Sequence, residues 1–182
     1  SRAARQAEFP AQFQLIAAMN PCPCGYLGAT RPACRCTPDQ VARYQGRLSG
    51  PLLDRIDLHV EVTPVKFEEM TSTRKSESSR DIRERVIKGR ERQKIRFESN
   101  PEVFCNAMMP SHQVKQVCQI SEAGKTLLKT AMERLGLSAR AYDRILKVAR
   151  TIADIAESED IRVEHLAEAI QYRSLDREGW AG

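Results

Sequence analysis

The sequence predicts a chain in two parts, the first mixing strand and helix and the second all helical, with the change near residue 75. Three observations carry this prediction. Two short apolar segments, each with a proline close by, have strand rather than helix patterns. A polar stretch from Thr71 to Ser79, rich in Ser and Thr, reads as a linker. Beyond it, apolar residues recur at helical spacing behind capping residues.

The first strand is read at Gln12–Met19, a short apolar run between Pro10 and Pro21 that suits a buried strand of a parallel sheet. Pro21 to Thr37 follows as a loop rich in Cys, Pro and Gly. A helix then starts at Thr37-Pro38-Asp39-Gln40: Thr37 caps, Pro38 has its φ pre-set, and Gln40 reaches back. It is expected to run to about Leu48 and to break at Ser49-Gly50-Pro51. The second strand is Leu58–Val62, where Leu58, Val60 and Val62 alternate with His59 and Glu61 before Pro64.

A basic helix is predicted from about Ser79 to Phe97, with Ile82, Val86, Gly89, Gln93 and Phe97 on one face and Asn100-Pro101 ending it. Shorter helices follow near Ser111–Ile120 and from Ser121 to Leu135, the latter stopped by Gly136. The clearest helix is capped by Ser138 and buries Ala141, Ile145, Val148, Ala149, Ile152 and Ile155. The last runs from Val163 to Tyr172 on Val163, Leu166, Ala167 and Ile170.

The net charge of +5 and pI of about 9.0 are compatible with a polyanionic partner, nucleotide or nucleic acid, and equally with simple solubility. Aromatic residues make up 5%, too few for a base-stacking platform. No apolar run is long enough to span a bilayer and no secretory signal is present, so the chain reads as cytoplasmic, with no membrane partner.

Cys22-Pro23-Cys24 and Cys34-Arg35-Cys36 form two chelating pairs on one loop. Four thiolates bind zinc tetrahedrally, and a closed four-thiolate site is structural rather than catalytic. The alternative is four reduced thiols. Cys105 and Cys118 have no such partners and are expected to pack.

Asn20 follows the first predicted strand, where open α/β sheets bind ligands; the alternative is an ordinary turn residue. Arg55, in Gly50-Pro51-Leu52-Leu53-Asp54-Arg55-Ile56-Asp57, lies between helix and strand. Its guanidinium can reach a phosphate on a neighbouring subunit, or pair with Asp54 or Asp57. Arg140 lies in the first turn of a helix, where backbone N–H groups and the dipole already favour an anion; Arg144 and Arg150 on the same helix are weaker candidates. The basic helix Arg83–Arg96 can track a nucleic-acid backbone, or pair with its own Asp81, Glu84 and Glu91. No phosphate-loop motif and no magnesium-binding acidic strand end occur, and the three histidines are far apart, so no hydrolytic triad is supported.

Taken in order, Ala17-Ala18-Met19-Asn20-Pro21-Cys22-Pro23-Cys24-Gly25, the segment Gly50–Asp57 and Leu137-Ser138-Ala139-Arg140-Ala141-Tyr142-Asp143-Arg144-Ile145-Leu146 resemble the magnesium-chelatase-like AAA+ ATPases of the ComM/YifB group. The resemblance runs from about Ser1 to Arg177. It implies a remnant of an α/β P-loop domain with the four-cysteine loop at residues 1–70, a linker at 71–79, and an all-α lid at 80–182. It also implies that the chain is a C-terminal fragment whose upstream half holds ATP and Mg²⁺. Asn20 would then be the sensor-1 residue, Arg55 the arginine finger acting on the next subunit, and Arg140 the sensor-2 arginine on its own subunit's nucleotide. The resemblance further implies a ring, hexameric in the family, working on DNA in branch migration during transformation, with this chain alone unable to hydrolyse ATP.

In the AAA+ sheet the phosphate-loop strand lies between the two strands predicted here. Residues 1–62 are therefore expected to pair abnormally or to be less ordered than the lid. Two other readings stay open: a zinc-stabilised DNA-binding module without nucleotide, and the ATPase subunit of a metal chelatase.

Overall fold

A computed structural model describes residues 13–29, 32–63, 65, 71, 76–100 and 102–173. Gln12, Pro64, Pro101, residues 72–75 of the predicted linker and the C-terminal residues 174–182 lie outside the described residues. The chain divides into one unit up to Tyr44 and another from Gln45 onward.

In the first unit the predicted strand does not form. Residues 13–20 carry no ladder, and Phe13, Leu15 and Ile16 are exposed, Ile16 by 83%. A strand satisfies its backbone only through a neighbour, and among the described residues there is none. The Cys loop follows, turning through Gly25 and Gly28, both at φ +83°, a conformation that glycine adopts without strain. Helix α1 (Pro38–Gln45) starts as its sequence predicts. The Thr37 N–H donates to Gln40 Oε1 at 3.0 Å, and the Gln40 N–H donates to Thr37 Oγ1 at 3.3 Å. The helix stops at Gln45, short of Leu48.

In the second unit Ser49-Gly50-Pro51 starts a helix instead of only ending one. Ser49 is extended and Pro51 supplies the helical φ for a single turn, α2 (Gly50–Leu53). The second predicted strand is also absent. Apart from Glu61, which is exposed as expected, residues 58–62 have the opposite burial: His59 is buried, while Val60 and Val62 are exposed by 66% and 87%. The period-two pattern is present, but the sheet it would face is not among the described residues.

The helical region follows its predicted order closely: α3 (Ser79–Arg96), a 3-10 turn (Asn106–Met108), α4 (Ser111–Val117), α5 (Glu122–Leu135), α6 (Ala139–Ile155) and α7 (Val163–Gln171). Ser78 and Asp81 form a reciprocal capping box on α3. Ser121 and Ser138 accept from Gly124 N and Ala141 N, each at 3.2 Å, to cap α5 and α6. Gly136 closes α5 at φ +61°, in the left-handed region.

Helix α6 is the hub. It packs against α7, α3, α4 and the 3-10 turn, while α5 packs on α7. Ala141, Ile145 and Ala149 are fully buried on the predicted stripe, beside Leu128 of α5, Leu166 of α7 and Val114 of α4. Each large aliphatic side chain buried in this way stabilises by about 1.5–3 kcal/mol before entropy. A parallel bridge between Ile120 and Ile161 ties the entries of α5 and α7 together. The predicted apolar face of α3 is buried only at its end, at Gly89, Gln93 and Phe97; Ile82 and Val86 are exposed by 43% and 42%. An alanine methyl at Gly89 would stand 3.2 Å from Ile155 Cγ1, so the glycine sets the close approach of α3 to α6.

A buried polar network completes the core. Asp154, fully buried, receives both Arg96 nitrogens at 2.7 and 2.5 Å, Asn106 Nδ2 at 2.8 Å, and Arg150 at 3.2 Å. Arg150 also donates to the carbonyls of Ser158 and Glu159. Its guanidinium is 4% exposed, so this candidate for anion binding is a structural residue. Cys118 lies in the core, and burial pushes its thiol up to about 11; Cys105 is half-buried.

Candidate functional site

The first candidate site is the Cys loop. The turns at Gly25 and Gly28 and the two tight Cys pairs bring four sulfurs within 4.8 Å of one another. Cys22 Sγ lies 3.4 Å from Cys24 Sγ and 3.7 Å from Cys34 Sγ, and Cys24 Sγ lies 3.5 Å from Cys34 Sγ. A zinc ion with Zn–S bonds of about 2.3 Å would need sulfur–sulfur edges of about 3.8 Å. The three edges among Cys22, Cys24 and Cys34 are slightly shorter than that, and Cys36 lies within 4.8 Å of the others.

Electrostatics point the same way. The backbone N–H groups of Arg35 and Tyr26 hold the Cys24 thiol down to about 6. At Cys36 the backbone amide of Cys24 pulls down, but burial and the neighbouring thiols prevail and push it up to about 12. Four crowded sulfurs cannot all ionise unless a cation compensates them. The group can hold a metal ion. Asn20 stands at the edge of this loop, its side-chain nitrogen 3.6 Å from where a Cβ on Gly25 would lie. It is exposed, and it follows an extended segment rather than a strand end.

The second candidate site is an arginine-bearing edge of the second unit. Sequence spacing allowed Arg55 to pair with Asp54 or Asp57, and it pairs with neither. Arg55 folds back over α2, its Nη1 donating to the Pro51 carbonyl at 2.6 Å, and remains exposed. Asp54 and Asp57 are engaged by the helical region instead. The Ser138 hydroxyl donates to the Asp54 carboxylate, 2.9 Å from each oxygen, and Arg173 Nη2 stands 3.7 Å away. Asp57 is paired with Arg144.

The anion expected at the start of α6 is thus supplied internally, by Asp54 at the cap residue. Such a carboxylate is favoured there by the dipole. Arg140, two residues beyond Ser138, is exposed and makes no hydrogen bond or ion pair among the described residues. The two sequence-predicted arginines therefore flank one bonded pair, Asp54 and Ser138, that lies 84 positions apart in the chain.

Sequence reasoning offered Asp54 and Asp57 as partners of Arg55 rather than of Ser138 and Arg144, and it missed Arg173 altogether. Arg173 is 1% exposed and donates to the Ile56 carbonyl; nothing local in the sequence marks it. On α3, Arg80, Arg85 and Lys88 pair with Glu84, Glu77 and Glu157. Arg83, Arg90 and Lys94 share one helical face and have no such partner among the described residues.

Two family models match the chain. That of magnesium chelatase, subunit ChlI, matches residues 1–70, and that of its C-terminal region matches residues 76–173. Competence protein ComM of Haemophilus influenzae is 43% identical over 178 residues, covering 97% of this chain and 34% of that protein. The uncharacterised protein YifB of Escherichia coli K12 is likewise 43% identical, with the same coverage. An uncharacterised protein of Mycobacterium tuberculosis H37Rv is 37% identical over 166 residues, 91% of this chain and 32% of its own length. The chain thus spans about a third of the length of the curated relatives it matches. With the C-terminal family model alone matching more than half of its residues, the chain belongs to the magnesium chelatase ChlI family, alongside its ComM and YifB relatives.

Proposed function

We propose that this chain supplies accessory arginines to an ATP-driven ring motor whose ATP and Mg²⁺ are held by a segment outside it. One observation carries the reading. The Ser138–Asp54 hydrogen bond sets Arg55 and Arg140 on one edge of one unit, both exposed, one held only by a carbonyl and the other unpaired. A guanidinium parked on a surface carbonyl costs about 1 kcal/mol to release, little against a triphosphate. The same adjacency favours both arginines reaching one triphosphate, that of the next subunit, over the division between two nucleotides that the family resemblance suggests. Asn20 is assigned the sensor-1 role on the resemblance alone. A zinc ion held by Cys22, Cys24, Cys34 and Cys36 would keep that loop closed and would take no part in the hydrolytic step.

The test is Arg55→Ala in the complete natural protein, assembled as its ring. Loss of an arginine finger lowers phosphoryl-transfer rates by about 10³–10⁵. Turnover within a few-fold of the unaltered protein would remove Arg55 from the role.

The relative named as a competence protein, and the basic charge, support DNA as the motor's track. The contact surface is the unpaired stripe Arg83, Arg90 and Lys94. A module that binds DNA through this stripe without nucleotide is the second reading. Replacing all three by Gln should flatten the slope of log K against log salt by about 2.7. An unchanged slope would dismiss the stripe. If the 182-residue chain alone binds DNA as tightly as the ATP-loaded ring, the second reading prevails.

A further inference from the structure

The segment from Leu53 to His59 leads into the second predicted strand, Leu58–Val62, which does not form among the described residues. Instead it is fastened to the helical region along its whole length. At its start, Asp54 accepts from Ser138, the cap of α6, at 2.9 Å. In the middle, the Ile56 carbonyl accepts from the buried guanidinium of Arg173, just beyond α7, and Asp57 pairs with Arg144 on the second turn of α6. At its end, the His59 N–H donates to the Tyr172 carbonyl at 2.8 Å, and the buried His59 ring lies 3.3 Å from the Leu53 carbonyl. The fastenings reach both α6 and the end of α7, which themselves pack together in the core.

Their strengths differ in a useful way. Arg173 is almost wholly buried, and a charge-assisted bond in such a place contributes about 1.5–3 kcal/mol. The Arg144–Asp57 pair is partly exposed, at 27% and 52%, and contributes at most about 1 kcal/mol. The segment is therefore held mainly by its buried bonds and aligned by its exposed pair. Arg55 stands inside this fastened stretch, between Asp54 and Ile56. Its backbone cannot shift relative to α6 without breaking several of these contacts at once.

We infer that Asp54, Asp57, Ser138, Arg144 and Arg173 are positioning residues: they latch the Arg55 segment onto α6 and α7, so that the segment moves as part of the helical lid. This rests on the proposed role of Arg55 in phosphoryl transfer and deepens it. None of the five is assigned a contact with the nucleotide, and Arg144, a weaker candidate for one, is paired with Asp57. They act through Arg55, by fixing the backbone from which its guanidinium reaches out. Misplacement of a reacting group by about 1 Å costs about 10²-fold in rate. A loosened latch therefore lowers turnover without removing any charge from the phosphates.

The test uses the exposed pair, because Arg173 substitutions endanger folding and Ser138 also caps α6. In the complete natural protein, Asp57→Asn, Arg144→Gln and the exchanged pair Asp57→Arg with Arg144→Asp are compared, each alone and combined with Arg55→Ala. The single variants should lower kcat by about 10- to 100-fold with KM changed less than about 3-fold. The exchanged pair should recover most of that loss. On the Arg55→Ala background the single variants should add nothing further.

Hydrogen exchange is followed in the same proteins. The amides of Ile56 to His59 should exchange faster in the single variants and return to normal in the exchanged pair. Losses that multiply with that of Arg55→Ala, or exchange at Ile56 to His59 that no variant changes, would overturn the latch. If Arg55→Ala itself turns over normally, the finger reading fails, and exchange at Ile56 to His59 alone still decides whether the latch exists.

Discussion

Ile145 and Val60 are both β-branched aliphatic residues set in regular apolar patterns, one at helical spacing and one alternating. Ile145 is fully buried and Val60 is 66% exposed. Between them they represent the two regions of this chain. The helical region satisfies its backbone bonds within each segment, so α5, α6 and α7 need one another only to cover their apolar faces. The segments 13–20 and 58–62 carry strand patterns, and a strand must borrow its backbone partners from elsewhere. Without a neighbouring strand among the described residues, the apolar side chains of these segments face outward. A hydrophobic pattern determines a face, but only a partner determines that the face is buried.

The comparison can be sharpened first at the Cys loop, which has four sulfurs in place of a core. Structural zinc binding contributes about 10–16 kcal/mol in small zinc modules, and there it is folding energy. Stripping the metal with a chelator should therefore release the amides between Cys22 and Cys36 to free exchange, and one equivalent of zinc should restore their protection. Elemental analysis should find one zinc per chain. A loop equally protected with and without metal would mean that its backbone turns hold it unaided.

A smaller effect is expected in the helical region, at its polar centre. Asp154→Ala leaves the half-buried Arg96 and the buried Arg150 with no carboxylate between them. Breaking a buried pair in this way costs about 3–5 kcal/mol, readable as a lower urea midpoint. A loss under about 1 kcal/mol would show that the network is better hydrated than its burial indicates.

Smaller still is the effect of the caps. Ser121→Ala removes the acceptor for Gly124 N and should cost about 1 kcal/mol. Gly136→Ala forces a side chain into φ +61° and should cost a similar amount. Unchanged stability in both would mean that packing alone sets the limits of α5.

Much of the fold was legible where its causes are local. Thr37 with Gln40, Ser121, Ser138 and Gly136 bound their helices within a turn, and the structure places each boundary within a few residues of the expected one. Helix α3 begins at Ser79 as its periodicity predicts, yet its cap lacks the usual sequence signature, because Asp81 rather than Glu or Gln completes the box with Ser78. The set of four cysteines was legible for the same local reason, since two tight pairs on one short loop have few ways not to converge.

The site was less legible. Arg55 and Arg140 were singled out by motif, but their shared edge depends on an Asp54–Ser138 contact across 84 positions. The Arg173–Ile56 contact spans 117 positions, and no periodicity or cap announces it.

By itself, then, the sequence determined the helices beyond residue 79, most of their ends and the thiol cluster, because hydrogen bonds and chelation over a few residues need no distant partner. The tertiary structure alone decided which apolar faces are covered, that Arg150 is buried rather than offered to a ligand, and that the Arg55 segment rides on α6 and α7. Those outcomes depend on which surfaces meet after the chain has closed on itself, and that choice is made by the sum of many weak contacts rather than by any one residue's neighbours.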